Sequence, residues 1–388
     1  MNISQRGLNL TPSEPRKIYD EAQKYSGVID LTLGDPDLPP PENVKIAASR
    51  AIMDGKTRYS ANAGLAELRQ KIADEADREY GIDFDSSKEI IVTVGAMEAA
   101  YLSLWSLLDP GDEAIIVAPF WINYREVVKS LGAVSVFVYT RQEDKFIVRP
   151  EEIEKQISSK TKVLILNSPS NPTGAVIPAD VLDRIAEIAV KHDLTVISDE
   201  IYSRLVYDNK KVESIITRPH MRERTVVING FSKRYAMTGY RIGWALAPAD
   251  LIRVMTQMTE NIVACAPLSS QYAAIEALSE QTDEAYIRRE FEQRRNCVIS
   301  ELERTENISC VGIPATFYGF LDVSASGMTG EEFAMLLLKN KKVALVHGSA
   351  YGGDVYRNFV RIAFTMDCEK LKEAFRRIRE FMKENKNE

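Results

Sequence analysis

The 388-residue chain predicts an α/β fold, a mainly parallel seven-stranded sheet with helices on both faces, joined to a smaller α+β domain. Three observations carry this. Between about residues 46 and 285, short apolar runs rich in β-branched residues alternate with longer segments of helical period. Beyond residue 285 the alternation stops, and a long charged helical pattern is followed by mixed strands and helices. The length also exceeds the ~250–300 residues at which single hydrophobic cores stop growing, so a second core is expected.

The strands are "IIVTV", "AIIVA", "VSVFV", "KVLILN", "TVISD", "TVVING" and "IGWALA", near residues 90, 114, 135, 162, 195, 225 and 242. Helical patterns such as "MEAAYLSLWSLL" lie between them. Another, "PADVLDRIAEIAVKH", opens with Pro178 and ends on basic Lys191, as helix termini favour. The later part holds "YIRREFEQRRNCVISELER" and closes with "CEKLKEAFRRIREFMKENK". Near the start, "GDPDLPPPEN" is too proline-rich for regular structure. The expected division is residues 1–45 as a segment of the small domain or cleft, 46–285 as the large domain, and 286–388 as the small one.

Composition excludes several classes of function. A net charge of -7, with basic residues scattered among acidic ones, offers no patch for a phosphate backbone, so no nucleic-acid partner is expected. No run approaches the roughly 18 apolar residues of a membrane span, and the opening lacks the apolar core of a secretory signal. A soluble, cytoplasmic chain is expected. Cys265, Cys297, Cys310 and Cys368 form no CxxC, and His192, His220 and His347 are far apart, so no metal site is expected.

Ligands of open parallel sheets bind beyond the carboxyl ends of the strands, so the residues following each strand matter most. After "IIVTV" come Gly95, Ala96 and Met97 at the start of a helix, whose free amides can hold an anion. After "AIIVAP" comes Phe120 and then Trp121. Asn171 sits in the turn "SPSNPTG", Asp199 and then Tyr202 follow "TVIS", and Lys233 follows "TVVING" with Arg241 eight residues on. Each has an ordinary reading: Gly95 as a strand-to-helix turn, "NPTG" as turn chemistry, Asp199 as a cap on "EIYSRL", Trp121 as core, Lys233 as a surface lysine. Five complementary groups on one rim fit a single ligand better. A lysine amine condenses with an aldehyde, a carboxylate keeps a ring nitrogen protonated, an indole stacks on the ring, and amides with an arginine hold a phosphate. Pyridoxal 5'-phosphate has those parts.

With these motifs on the page, the chain resembles the class I/II aminotransferases of fold type I pyridoxal-phosphate enzymes, from about Leu31 to the C-terminus, most specifically in "GFSKRYAMTGYRIG". The resemblance implies that Lys233 holds the cofactor, Arg241 and Ser232 contact its phosphate, Asp199 faces the pyridine nitrogen, and Tyr202 and Asn171 reach the phenolic oxygen. It implies that Trp121 stacks on the ring, and that Tyr59, in "TRYSANAGLAELR", reaches the phosphate of a neighbouring subunit, giving a homodimer with shared sites. Gly34 in "LTLGDPD" and Arg361 in "NFVRIAF" are implied to bind the substrate carboxylate. The chain departs from the family at Gly230, His347, Ala315 and Ala264, where a hydroxyl, a proline, a glycine and a hydroxyl are usual.

The expected activity is ping-pong transfer of the amino group of an aromatic, aliphatic or aspartate L-amino acid to a 2-oxo acid such as 2-oxoglutarate, with Met97, Leu38 and Trp121 shaping the side-chain pocket. The same lysine and aspartate also serve C–S β-lyases, decarboxylases and oxidases. A regulator that senses the cofactor is a further alternative; such proteins carry an added DNA-binding segment and this acidic chain does not show one.

Overall fold

The computed structural model of the chain describes residues 2–8, 10 and 14–385. Residues 1, 9, 11–13 and 386–388, which belong to the expected first and last segments, lie outside the described residues. The strands are β1 (Ile29–Asp30), β2 (Ile90–Thr93), β3 (Glu113–Ala118), β4 (Val134–Tyr139), β5 (Thr161–Asn167), β6 (Thr195–Asp199), β7 (Thr225–Gly230), β8 (Gly243–Leu246), β9 (Tyr318–Asp322), β10 (Val343–Ala344), β11 (Val346–His347) and β12 (Phe359–Ala363).

All seven expected strands form one sheet in the order β2-β8-β7-β6-β5-β3-β4. The side chains of successive residues point to opposite faces, and both faces are covered. Ile91, Ile116, Ile165, Ile197 and Ile228 pack with the helices Gly95–Leu107 and Ala249–Ile262. On the other face Ile90, Val92 and Val227 meet the helices Ala66–Tyr80 and Leu268–Ala277. Next to them, Ile115, Leu164 and Val196 meet the helix Ala179–Lys191. β4 is an edge strand, and there Val134 and Tyr139 are exposed.

β8 runs antiparallel to both of its neighbours, β2 and β7. The reason is local. A parallel return needs a crossover, usually an α-helix, that carries the chain back to the other end of the sheet, whereas residues 231–242 form turns and the 3-10 turn Thr238–Tyr240 but no α-helix, and fold back beside β7. Gly230 therefore faces Gly243, and the connecting loop stands at the carboxyl end of β7.

The second core gathers Phe291, Val298, Phe333, Leu337, Phe375 and Ile378 against Tyr318, Leu321, Val360 and Ile362. Its sheet is β11-β12-β9, antiparallel throughout. The helix Gly330–Lys341 begins with a reciprocal cap between Thr329 and Glu332, and the helix Cys368–Glu384 with Asp367 accepting from the Lys370 amide. β1 pairs with β10, so the chain near Ile29 runs beside strands more than three hundred residues later. Leu31, just beyond β1, is fully buried in this core. Among the described residues no helix is long and apolar enough to cross a membrane, and no His, Cys, Asp and Glu cluster could hold a metal.

Candidate active site

A cavity of about 310 Å³ opens at the carboxyl ends of β5, β6 and β7. Gly34, Ala96, Met97, Trp121, Asn171, Asp199, Tyr202, Ser232, Lys233, Arg241 and Arg361 all line it. Gly95 stands just behind, and Tyr59 lies elsewhere on the surface, 84% exposed. Leu38 does not line the cavity and packs instead against the second core, which corrects its expected place in the side-chain pocket.

Lys233 is half-buried, but its amine is enclosed and donates to the Gly34 carbonyl at 2.6 Å. Enclosure lowers the ammonium from its ordinary 10.5 to about 8; Asp35 opposes that, Arg241 and Arg361 add to it, and Asp199 opposes it more weakly. Asp199, at the end of β6, is buried, with the Tyr124 hydroxyl donating to Oδ2 and the Ile201 amide donating to Oδ1 at 3.1 Å. Burial raises its carboxyl, and the bonds from Tyr124 and Ile201 and the charge of Lys233 act the other way. The segment "EIYSRL" after it forms turns rather than the helix that an N-terminal cap would need. Adjacent Glu200 faces elsewhere, where Ser198, Ser214 and Tyr80 donate to it.

The anion end of the cavity depends on glycine. Gly95 has φ +76°, and a Cβ there would lie 2.7 Å from Nη2 of Arg241. Its absence lets the guanidinium lie against the start of the helix Gly95–Leu107, where the amides of Ala96 and Met97 have no intrahelical acceptor. Arg241 itself is left-handed at φ 52°, and its Nη1 donates to the Thr238 carbonyl at 2.9 Å. Trp121 meets Tyr124 edge-on, with ring centroids 5.2 Å apart.

At the opposite wall Arg361 is 4% exposed. One Nη donates to Asn171 Oδ1 at 3.2 Å and the other to the Thr32 carbonyl, while its charge lies 4.5 Å from the centre of the Tyr318 ring and 5.1 Å from that of Tyr351. Among the described residues no carboxylate pairs with it, and its buried Nε has no partner. A buried cation with neutral partners only is a site for an anion. Gly34 approaches the same wall so closely that a Cβ would fall 1.8 Å from the Tyr318 hydroxyl oxygen.

Sequence reasoning missed Tyr124, Asn167, Thr238, Tyr318 and Tyr351. Tyr318 bonds Tyr202 through their hydroxyls at 3.1 Å, and Asn167 accepts from the Asn171 amide at 2.8 Å. Tyr124 was findable, because it follows Trp121 by three residues in "PFWINY", near one helical turn.

The residues fit the expected cofactor. Gly95 leaves the space that Arg241 and the helix amides need around a phosphate, the enclosed Lys233 amine is within the same cavity, and Asp199 is a buried carboxylate whose anion a ring cation would stabilise.

The comparisons with known proteins agree. A family model described as "Aminotransferase class I and II" matches residues 26–378. An aspartate aminotransferase of Pyrococcus abyssi is 39% identical and an aromatic-amino-acid aminotransferase of Thermococcus litoralis 38% identical, each over the whole of both chains. Among solved structures, an aspartate aminotransferase from Thermus thermophilus with maleate superposes with a TM-score of 0.92 at 35% identity, covering 98% of this chain and 99% of that one. An aromatic aminotransferase from Pyrococcus horikoshii gives 0.90 at 38% identity, covering 95% and 99%. Fold, cavity and relatives thus converge, and the chain belongs to the class I and II aminotransferases, pyridoxal-phosphate enzymes that move an amino group between an amino acid and a 2-oxo acid.

Proposed function

We propose that this enzyme takes the amino group from an aromatic, aliphatic or aspartate L-amino acid and passes it to 2-oxoglutarate, in the cytoplasm, by two half-reactions at the one cavity. The observation that carries the reading is the buried, carboxylate-free Arg361 in the cavity that also holds Lys233 and Asp199. Bound there, pyridoxal phosphate supplies an aldehyde for the amino group and a ring that accepts electrons.

Lys233 would hold the cofactor, Arg241, Ser232 and the amides of Gly95, Ala96 and Met97 its phosphate, Trp121 one face of its ring, and Asn171 and Tyr202 its phenolic oxygen. Asp199 would face the ring nitrogen. Arg361 would take the substrate carboxylate in a two-pronged pair beside Gly34, which directs the α-carbon toward Lys233. Once its amine is free, Nζ of Lys233 takes the proton from that carbon, and an ammonium that loses its proton near 8 suits this work at neutral pH. A screen of amino donors against 2-oxoglutarate tests the assignment. Glutamate should accumulate in step with a 2-oxo acid from aromatic, aliphatic or aspartate donors; ammonia released without glutamate would sink it.

The roles of Asp199 and Arg241 separate in kinetics. Asp199→Asn should lower turnover by about 10²–10³ at saturating cofactor, because the carboxylate acts on charge that develops during proton removal. Arg241→Ala should chiefly weaken cofactor binding, by about 1.5–3 kcal/mol for a charged hydrogen bond. Absorbance titration with cofactor, followed by turnover at saturation, measures both. Equal cofactor loss with normal turnover in both variants would overturn the division.

We also propose a homodimer with shared sites and the three-part division 1–45, 46–285 and 286–388. The pairing of β1 with β10 supports placing the first segment with the small domain. Tyr59 is exposed outside its own cavity, and Ile46, Ile52 and Met53 on the preceding helix Glu42–Met53 are exposed as well, which supports a partner surface on this part of the chain. Mixed dimers of inactive Lys233→Ala and strongly impaired Tyr59→Ala chains should regain activity, since one site per dimer is then intact. A monomer with full activity in sedimentation and assay would remove the shared site.

A further inference from the structure

Residues 31–37 are tied mostly to the C-terminal part of the chain. Leu31 donates to Ala344 O at 2.9 Å and accepts from the Ala363 amide at 2.8 Å, and Asp37 donates to Thr365 O at 3.3 Å and accepts from Arg294 at 2.7 Å. Toward the loop between β7 and β8, two hydrogen bonds are present among the described residues. Lys233 Nζ donates to Gly34 O at 2.6 Å, and Thr238 Oγ1 donates to Asp35 Oδ1 at 2.7 Å.

These two bonds differ in what the reaction does to them. The first uses the amine that, in the proposed function, would engage cofactor and substrate. The second uses no reacting atom. Thr238 also accepts from Arg241 through its carbonyl, so a tie at Thr238 reaches the anion end of the cavity as well. On the other side, Asp35 follows Gly34, whose approach to Tyr318 leaves no room for a side chain.

We propose that Asp35 is a positioning residue, which clasps the Gly34 segment to the loop of Lys233 and Arg241 through Thr238. This rests on the reading that Lys233 is the cofactor's lysine. The charged groups that act on that amine are Asp35 and Asp199, which favour its ammonium, and Arg241 and Arg361, which oppose it; of the two carboxylates Asp35 acts on the amine more, although Asp199 is the deeper. Burial holds the Tyr318 hydroxyl in its neutral form; Arg361 and the bond with Tyr202 act the other way, and Asp35 adds a smaller effect on the side of burial. Because Asp35 is exposed, its bond contributes little to folding, and its loss is read in catalysis rather than in collapse.

The test uses Asp35→Asn, Asp35→Ala and Thr238→Val in the full chain. Asp35→Ala and Thr238→Val should raise KM for the amino acid by about three- to tenfold with a smaller change in kcat, as loss of a hydrogen bond of ~1 kcal/mol between exposed groups predicts. Asp35→Asn should keep KM within about twofold, since its amide oxygen still accepts from Thr238. A second readout needs no turnover. Acetic anhydride labelling of the full chain stripped of cofactor, followed by mass spectrometry of the Lys233 peptide, should give a midpoint of about 8 in the wild type. The midpoint should fall in both Asp35 variants and hold in Thr238→Val. If Asp35→Ala moves neither the midpoint nor KM, the clasp is overturned. A borohydride-fixed cofactor found on another lysine of the wild type overturns the Lys233 reading instead, before any Asp35 variant is made.

Discussion

Replacing Lys233 with alanine should abolish amino-group transfer, lowering turnover by more than about 10⁴-fold, because in the proposed function one side chain would both hold the cofactor and move the proton. The chain should remain folded. Its amine makes a single hydrogen bond, to Gly34 O, and lies 5.5 Å from the centre of the Phe317 ring, and neither contact anchors a core. The sign of the stability effect follows from the titration. Lys233 has a folded pKa of about 8, below the ordinary 10.5, so below 8 an ammonium is buried at a cost that the unfolded chain does not bear. From 8 to 10.5 the folded state has lost a proton that the unfolded state keeps, and stability gains as pH rises. The stripped Lys233→Ala protein should therefore melt no lower than the stripped wild type at pH 7, and the wild type should gain on it toward pH 10. Thermal unfolding at the two pH values reads this. In the wild-type holoenzyme, borohydride should fix the cofactor to the Lys233 peptide, and the same adduct persisting in the variant would falsify the assignment.

Arg361→Ala should lower kcat/KM for the amino acid by about 10²–10⁴, since truncating one partner of a buried hydrogen-bonded charge pair costs about 3–5 kcal/mol. Cofactor absorbance should be retained. Arg361→Lys should recover only part of the loss: it keeps the charge, but a point ammonium cannot present two parallel donors to a carboxylate or lie flat against Tyr318 and Tyr351. Steady-state kinetics with a good donor, beside a spectral titration of the cofactor, separates the two effects. Retained kcat/KM in Arg361→Ala would assign the substrate carboxylate to another group.

The relatives bear on the choice of donor. Proteins named for aspartate and for aromatic amino acids are similar to this chain at nearly equal identity, 39% and 38%. Overall similarity therefore does not choose between an acidic and an aromatic side chain, and the donor screen does. For the reaction type the relatives are consistent, and they favour transamination over the lyase, decarboxylase and oxidase alternatives.

Sequence alone determined the strands and much of the cavity wall. A strand covered on both faces is mostly apolar, so "IIVTV" and "TVVING" were legible as buried strands, and the polar residues after them stood out because only a ligand or a turn rewards such groups at strand ends. Direction was not legible in the same way. Period and composition are the same for a strand run either way, and only the pairing of Gly230 with Gly243 shows that β8 turns back and stands the Lys233 loop at the carboxyl end of β7. Nor did the pattern distinguish a core aromatic from a site aromatic. Tyr124, Tyr318 and Tyr351 lie among apolar neighbours as core residues do, and their hydroxyl and ring contacts with Asp199, Tyr202 and Arg361 exist because distant segments fold together. Leu38 failed in the reverse sense, since a leucine near a glycine motif can face either a ligand or a core, and packing turned it to the core. The clasp of Asp35 on Thr238 spans two hundred residues, and a hydrogen bond between an exposed carboxylate and a hydroxyl leaves no periodic trace in the chain, so tertiary structure alone decided it.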